Sequence, residues 1–321
     1  MTNRIIETMP PVLAIIVPCY NEEKLINMSA DILMELLNKL QKNDISNNSY
    51  VLFIDDGSND STWDIISELH NNCRSIKGIK FSRNFGHQSA LLAGLLESIN
   101  TADIYITVDA DIQDDLDVIP RMISRYKEGY EIIYGVRKSR AADTWLKKNI
   151  AETFYKIQQI MGIEIVYNHA DFRMVSNNVL LRLLEFKESN VYLRAIFPLI
   201  GFRSVNEYYD RKPRIAGTPK YSFIKLLALA LDGITSFSVR PLRAITFAGS
   251  IISFFSFIMI LWILYYKFFM GRFISEWVYI LLPLCLLGGL QILALGIIGE
   301  YIGKVFIEVK QRPKYIIEER L

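Results

Sequence analysis

The chain has 321 residues, a formal net charge of +2, 51% hydrophobic residues and a mean hydropathy of +0.21. So small a charge excludes the broad basic surface that nucleic acid demands, and no nucleic-acid partner is expected. Cys19, Cys73 and Cys285 lie far apart, as do His70, His87 and His169, which excludes a zinc site or a disulfide framework and suits a reducing compartment.

The apolar run Val12 to Val17 is too short for a secretory leader and reads as a buried first strand. Strand-like runs and helical patterns then alternate to about Val136. VLAIIV precedes a helix through Leu25 to Leu40. YVLFI precedes one from about Ser61 to Asn71, and Ile76 to Phe81 one from about His87 to Ile99. DIYITV precedes an acidic loop and a helix through Ile119 to Tyr126, before the strand EIIYGV. This alternation predicts an α/β fold built on a mainly parallel sheet, with ligands beyond the carboxyl ends of its strands. Those ends read PCYNEE, DDGS, SRNFG and DADIQ, so four polar loops are expected on one edge. From Ala141 to Phe202 the pattern is mostly helical, interrupted at Ala170 to Met174. Val205 to Tyr209 reads as a strand leading into a basic, Pro- and Gly-containing loop from Arg211 to Lys220.

Beyond this the character changes. Residues 221–242 carry Phe223, Leu226, Leu227, Ala230, Leu231 and Ile234 at helical spacing and read as an interfacial amphipathic helix. Ala244 to Tyr266 and Trp277 to Ile298 are free of charge for roughly 22–23 residues each, enough to span a bilayer. The expected organisation is a catalytic domain over 1–220, the interfacial helix, a two-helix transmembrane hairpin over 243–303 and a basic tail over 304–321. Arg240, Arg243, Lys304, Lys310, Arg312 and Lys314 flank the spans on one side, against Lys267 and Arg272 between them. The positive-inside rule then puts the large domain and both termini in the cytoplasm, at the plasma (inner) membrane. Gly288, Gly289, Gly296 and Gly299 would permit close helix contact.

The most informative stretch is ITVDADIQDDLD, Ile106 to Asp117. An EF-hand would need Gly and Glu where this loop has Asp114 and Pro120, so a calcium loop of that type is excluded. Asp109, Asp111 and Gln113 supply the oxygen ligands that suit magnesium or manganese. A divalent cation beside a membrane suggests a diphosphate substrate and a lipid partner. Asp55 or Asp56 could meet a base N–H or a ribose hydroxyl, or simply cap the turn. The basic loop could fold over phosphates or face lipid headgroups.

Taken in order, PCYNEE, DDGSND, RNFGH, DADIQD, ADFRM, RIAGTPKYS, SFSVRPLR and GIIGEYIGKVFIEVKQRPKY resemble the family 2 glycosyltransferases of GT-A fold. More narrowly they resemble the bacterial polyprenyl-phosphate glycosyltransferases of the bactoprenol glucosyltransferase type, relatives of dolichol-phosphate mannose synthase. The resemblance spans nearly the whole chain. It implies that Pro18, Tyr20 and Glu22 line the nucleoside pocket with Asp55 or Asp56 at the base. Asp109, Asp111 and Gln113 would hold Mg²⁺ or Mn²⁺ against the diphosphate. Arg214 and Lys220 would close over the phosphates, Arg137 and Arg211 would grip the lipid phosphate, and Asp171 would be the catalytic base. A phosphate monoester, with its second pKa of about 6, is already largely ionised at neutral pH, so Asp171 is expected to position substrate at least as much as to take a proton. The serine of the family's RxxGxSK pattern is Pro219 here, which removes a hydroxyl from that loop. The implied reaction is inverting transfer of one hexose, glucose first, from a UDP-sugar to undecaprenyl phosphate by a homo-oligomer. Alternatives are a GDP-mannose-dependent synthase and a non-catalytic membrane scaffold or lipid-moving partner.

Overall fold

The computed structural model describes residues 9–138, 169–188, 192–210 and 276–321, with scattered helical positions between 245 and 265. Arg211, Arg214, Lys220, the 221–242 segment and most of the first apolar run lie outside the described residues.

An eight-stranded sheet forms the centre of the described chain, in the order β7-β5-β6-β4-β1-β2-β3-β8. Strand β1 (Leu13–Cys19) is buried at every position, as is β2 (Tyr50–Asp55). Such continuous burial is what a parallel strand covered on both faces requires. Strand β1 pairs in parallel with β2, from Ala14↔Tyr50 to Cys19↔Asp55, and with β4 (Ile104–Thr107). Strand β3 (Ile76–Phe81) continues the parallel set beyond β2. The crossovers are helices α1 (Ile26–Leu40), α2 (Thr62–Asn72) and α3 (His87–Glu97).

Alternation along each strand decides which helix it meets. Leu13, Ile15 and Val17 share a core with Leu33 and Leu37 of α1, Ile66 of α2, and Met122 of α4 (Ile119–Lys127). Fully burying each such side chain contributes about 1.5–3 kcal/mol. The other face receives α3. A Cβ on its Gly94 would stand 2.2 Å from Ile16 Cγ2 and 3.0 Å from Ile54 Cγ1, so glycine lets the helix lie close against β1 and β2.

The expected strand EIIYGV is β5 (Ile132–Arg137), and β7 (Ser204–Tyr209) pairs with it in parallel. The interruption at Ala170 to Met174 is a strand, β6 (His169–Ser176), inserted antiparallel between β4 and β5. The interruption is thus a strand, and the described residues that follow it are largely helical as expected. His169, Asp171 and Arg173 alternate with Ala170, Phe172 and Met174, and the apolar set joins the core, so the charged set hides a period-two pattern. Two short helices, α5 (Asn177–Leu183) and α6 (Leu193–Ile200), follow.

Helix α7 (Glu276–Lys310) belongs to a second compact unit, whereas residues 312–321 return to the unit that holds the sheet. There β8 (Ile317–Arg320) pairs antiparallel with β3, a strand that a reading of 304–321 as a tail does not foresee. Among the described residues no helix is long and apolar enough to cross a membrane. The C-terminal part of α7 carries Glu300, Lys304, Glu308 and Lys310.

Candidate active site

Because β1, β2, β3 and β4 run parallel, their carboxyl ends share one edge, and side chains lace their loops together there. Asn21, in the left-handed region at φ 52, donates its N–H to Ser58 Oγ at 2.9 Å and accepts from Asn59 N–H at 2.9 Å. Glu22 N–H donates to Thr62 Oγ1 at 2.9 Å, and Glu23 N–H to Asp60 Oδ2 at 3.2 Å. These bonds lock the first loop to the second. Gly57, at φ +66, is required there, since a Cβ would meet the Arg83 carbonyl carbon at 2.3 Å.

The two adjacent carboxylates of the second loop do different work. Asp56 accepts from Phe85 N–H at 2.7 Å through one oxygen and from Gly86 N–H at 2.9 Å through the other. It therefore ties the second loop to the third. Asp55 accepts from the Ser58 hydroxyl and backbone N–H on Oδ1. Its Oδ2 is buried with no hydrogen-bond partner among the described residues. Burial raises its carboxyl above the ordinary value, against the pull of Ser58. An orphaned buried acceptor is costly unless a ligand satisfies it.

Beside this turn is a cleft of about 280 Å³ whose lining includes Tyr20, Ser58, Lys80, Arg83, Asn84 and Glu318. Of the residues expected around a nucleoside, Tyr20 lines it. Pro18 is buried within β1, and Glu22 meets the second loop through its backbone.

In the fourth loop Ile112 sits at φ 44, a conformation unfavourable for a β-branched residue, in a turn closed by Ile112 N–H to Asp109 C=O at 3.0 Å. Burial pushes the Asp109 carboxyl up to about 6, opposed by His87 and assisted by Asp114, Asp171 and Asp111. A divalent cation relieves such crowding of carboxylates. Among the described residues no three His, Cys, Asp or Glu side chains form a metal cage. Protein sites for magnesium in general need only one or two carboxylates, the rest of the shell being waters and substrate phosphates, and the residue types of Asp109 and Asp111 fit that donor set. Gln113 is buried, with no partner for Nε2 among the described residues.

Asp171 lies on β6 against the same edge. Its Oδ1 accepts from Arg173 at 2.7 Å and Arg194 at 3.0 Å, and its Oδ2 from Arg194 at 3.0 Å. His87 Nε2 stands 3.6 Å from Asp171 Oδ2 and 3.7 Å from Asp109 Oδ1, bridging the two carboxylates. Burial alone would raise the Asp171 carboxyl, but Arg194, His87 and Arg173 outweigh it and hold it well below the carboxylate range. A carboxylate so held is a weak base and a rigid anchor. Arg137, at the end of β5, lies 3.3 Å from Asp114 Oδ1 and donates to the Tyr209 hydroxyl at 3.3 Å, while that hydroxyl donates to Asp114 at 2.5 Å. The sequence reading did not assign His87, Arg194, Lys80 or Glu318 to the site. His87 was within the legible loop RNFGH, but Arg194 carries no local signal.

The model of the family described as Glycosyl transferase family 2 matches residues 14–184. The uncharacterized glycosyltransferase YkoT of Bacillus subtilis is 44% identical over 309 residues, 96% of this chain and 91% of its own. A bactoprenol glucosyl transferase of Shigella phage SfX is 35% identical, covering 96% of this chain and 99% of that protein. A prophage bactoprenol glucosyl transferase homolog of Escherichia coli is 36% identical over 95% and 98%. A solved mannosyltransferase of Pyrobaculum calidifontis, in complex with GDP-Man and Mn²⁺, aligns at TM-score 0.49 and 17% identity over 73% of this chain and 65% of that one. A likeness of that depth says nothing of this chain's ligands.

Proposed function

The chain belongs to glycosyl transferase family 2, and on that footing we propose that it moves one hexose, glucose first, from a UDP-sugar to undecaprenyl phosphate. The observation that carries this reading is the shared sheet edge. A cleft beside a buried acceptor left unpaired among the described residues, an acidic loop and, on β6, an arginine-clamped carboxylate gather along that edge. The relatives named bactoprenol glucosyl transferase support the lipid phosphate as acceptor.

In this mechanism Asp55 Oδ2 accepts the base N–H of the donor. Asp109, Asp111 and Gln113 would hold Mg²⁺ or Mn²⁺, which when bound supplies charge neutralisation for a departing diphosphate. Arg214 and Lys220 close over the donor phosphates, and Arg211 and Arg137 meet the acceptor phosphate, Arg137 being aimed by Asp114 and Tyr209. The ionised lipid phosphate oxygen attacks the anomeric carbon opposite the leaving nucleotide, so a C–O bond forms as the donor's C–O bond breaks and the configuration inverts. Asp171, fixed by Arg173 and Arg194, orients sugar or acceptor without needing to take a proton. The uncharged runs Ala244 to Tyr266 and Trp277 to Ile298 support anchoring in the inner membrane, with the catalytic unit and both termini on the cytoplasmic side. The glycines of the second run support a homo-oligomer.

Purified protein, undecaprenyl phosphate, Mg²⁺ and a panel of radiolabelled UDP- and GDP-sugars test the reading. Label entering the organic phase from a UDP-hexose alone is expected. Transfer only from GDP-mannose would replace the donor, and no transfer from any sugar in folded protein would overturn the reading.

A further inference from the structure

Strand β8 contributes Glu318 to the lining of the cleft. It is built into the sheet by contacts on every side. Beyond its ladder with β3, Ser82 N–H donates to Ile316 C=O at 3.0 Å and Leu321 N–H to Gly78 C=O at 2.8 Å. The Tyr315 ring stacks on Phe81 at 5.4 Å with the planes 9° apart. Trp63 Nε1 donates to Glu319 at 2.9 Å, while Arg320 at 2.7 Å and the Tyr315 hydroxyl at 3.0 Å both reach Glu97. The ladder shifts register at Lys80/Phe81, at the cleft, and such irregularities re-aim side chains.

There Lys80 Nζ stands 3.4 Å from Glu318 Oε2, with side-chain exposures of 25% and 51%. A pair this exposed adds little to stability. As cleft chemistry it matters more. A carboxylate accepts several hydrogen bonds, so engagement with Lys80 leaves Glu318 able to take another from a ligand, while Lys80 fixes the carboxylate and offsets its charge. Tyr20 and the Ser58 turn that holds Asp55 line the same cleft. A nucleoside offers both kinds of donor such a site would read, base N–H and ribose O–H.

Resting on the reading that this cleft takes the donor's nucleoside, we propose that β8 is a working part of the donor site and that Glu318 is a specificity-determining residue accepting a hydrogen bond from the nucleoside.

The test is calorimetric titration of UDP, with Mg²⁺, into full-length protein in detergent, paired with melting temperatures. Glu318→Ala is expected to weaken UDP about tenfold, Glu318→Gln to restore part of that loss, and neither to move the melting temperature. Glu319→Ala, which removes the acceptor for Trp63 Nε1 outside the cleft, is expected to lower the melting temperature and leave UDP affinity within about twofold. In steady-state assays Glu318→Ala should raise KM for the UDP-sugar and spare kcat, as loss of uniform binding does. Wild-type affinity in Glu318→Ala overturns the inference and leaves the donor reading standing. Failure of the wild-type protein to bind UDP overturns the donor reading and this inference with it.

Discussion

Asp55 and Asp56 are neighbours of one residue type, yet their substitution should have opposite consequences. Asp56→Ala removes the carboxylate that accepts from Phe85 and Gly86 N–H. Each buried donor left unpaired costs about 1–3 kcal/mol, so the two together should cost roughly 2–6 kcal/mol. The site is only partly closed to water, which favours the lower half of that range. At about 2–4 °C per kcal/mol, the melting temperature should fall by roughly 4–16 °C. Asp55→Asn keeps an amide oxygen for Ser58 and removes a charge whose burial raises its pKa. Stability should hold within about 1 kcal/mol or improve. UDP affinity should fall at least about tenfold, because an amide N–H₂ can then face the base N–H. Thermal unfolding of full-length protein in detergent and UDP titration read the two effects separately. Equal loss of stability in both variants, or undiminished UDP affinity in Asp55→Asn, would refute the division of labour.

Gly57→Ala places a Cβ 2.3 Å from the Arg83 carbonyl carbon at a left-handed φ, and should cost about 2–4 kcal/mol from strain and overpacking. An unchanged melting temperature would count against the loop geometry. Asp171 has a depressed folded pKa, so its contribution is complete above the unfolded value of about 3.9 and lost as pH falls through the lower folded value. Melting temperature measured from pH 3 to 7 should therefore decline more steeply at the acid end in wild-type protein than in Asp171→Asn, and equal slopes would contradict the arginine clamp. Cys19 is buried, and burial followed by nearby Asp55 raises its thiol pKa well above the ordinary value, whereas Cys73 is partly exposed. Iodoacetamide at pH 8 should modify Cys73 in native protein and leave Cys19 untouched, as peptide mass mapping would show.

Much of the fold could be read from runs such as Leu13–Cys19 and Tyr50–Asp55, whose uninterrupted apolar character has few uses besides a covered parallel strand. Their order also predicted the shared loop edge. Strand β6 was obscured because His169, Asp171 and Arg173 hold every second place, and their burial depends on partners as distant as Arg194. Strand β8 was obscured because IEER has no apolar alternation of its own. It is held by Trp63 and Glu97, more than two hundred positions away. At the site, the residue types at Asp109, Asp111 and Asp171 were legible from pattern and resemblance. The choice between Asp55 and Asp56 was not, since it turns on where the Phe85 and Gly86 N–H groups fall in space. The bridge of His87 between two carboxylates likewise exists only once β4, β6 and α3 are assembled.

The central claim is tested most directly by transfer of label from UDP-[¹⁴C]glucose to undecaprenyl phosphate, comparing wild-type protein with Asp111→Asn at matched fold and concentration. The account predicts Mg²⁺- or Mn²⁺-dependent label in the organic phase for the wild type, and a loss of at least about a hundredfold in the variant. That is the order expected when an electrostatic stabiliser of a leaving group is removed. Transfer by Asp111→Asn at the wild-type rate, or wild-type transfer indifferent to chelation of divalent cations, would contradict it.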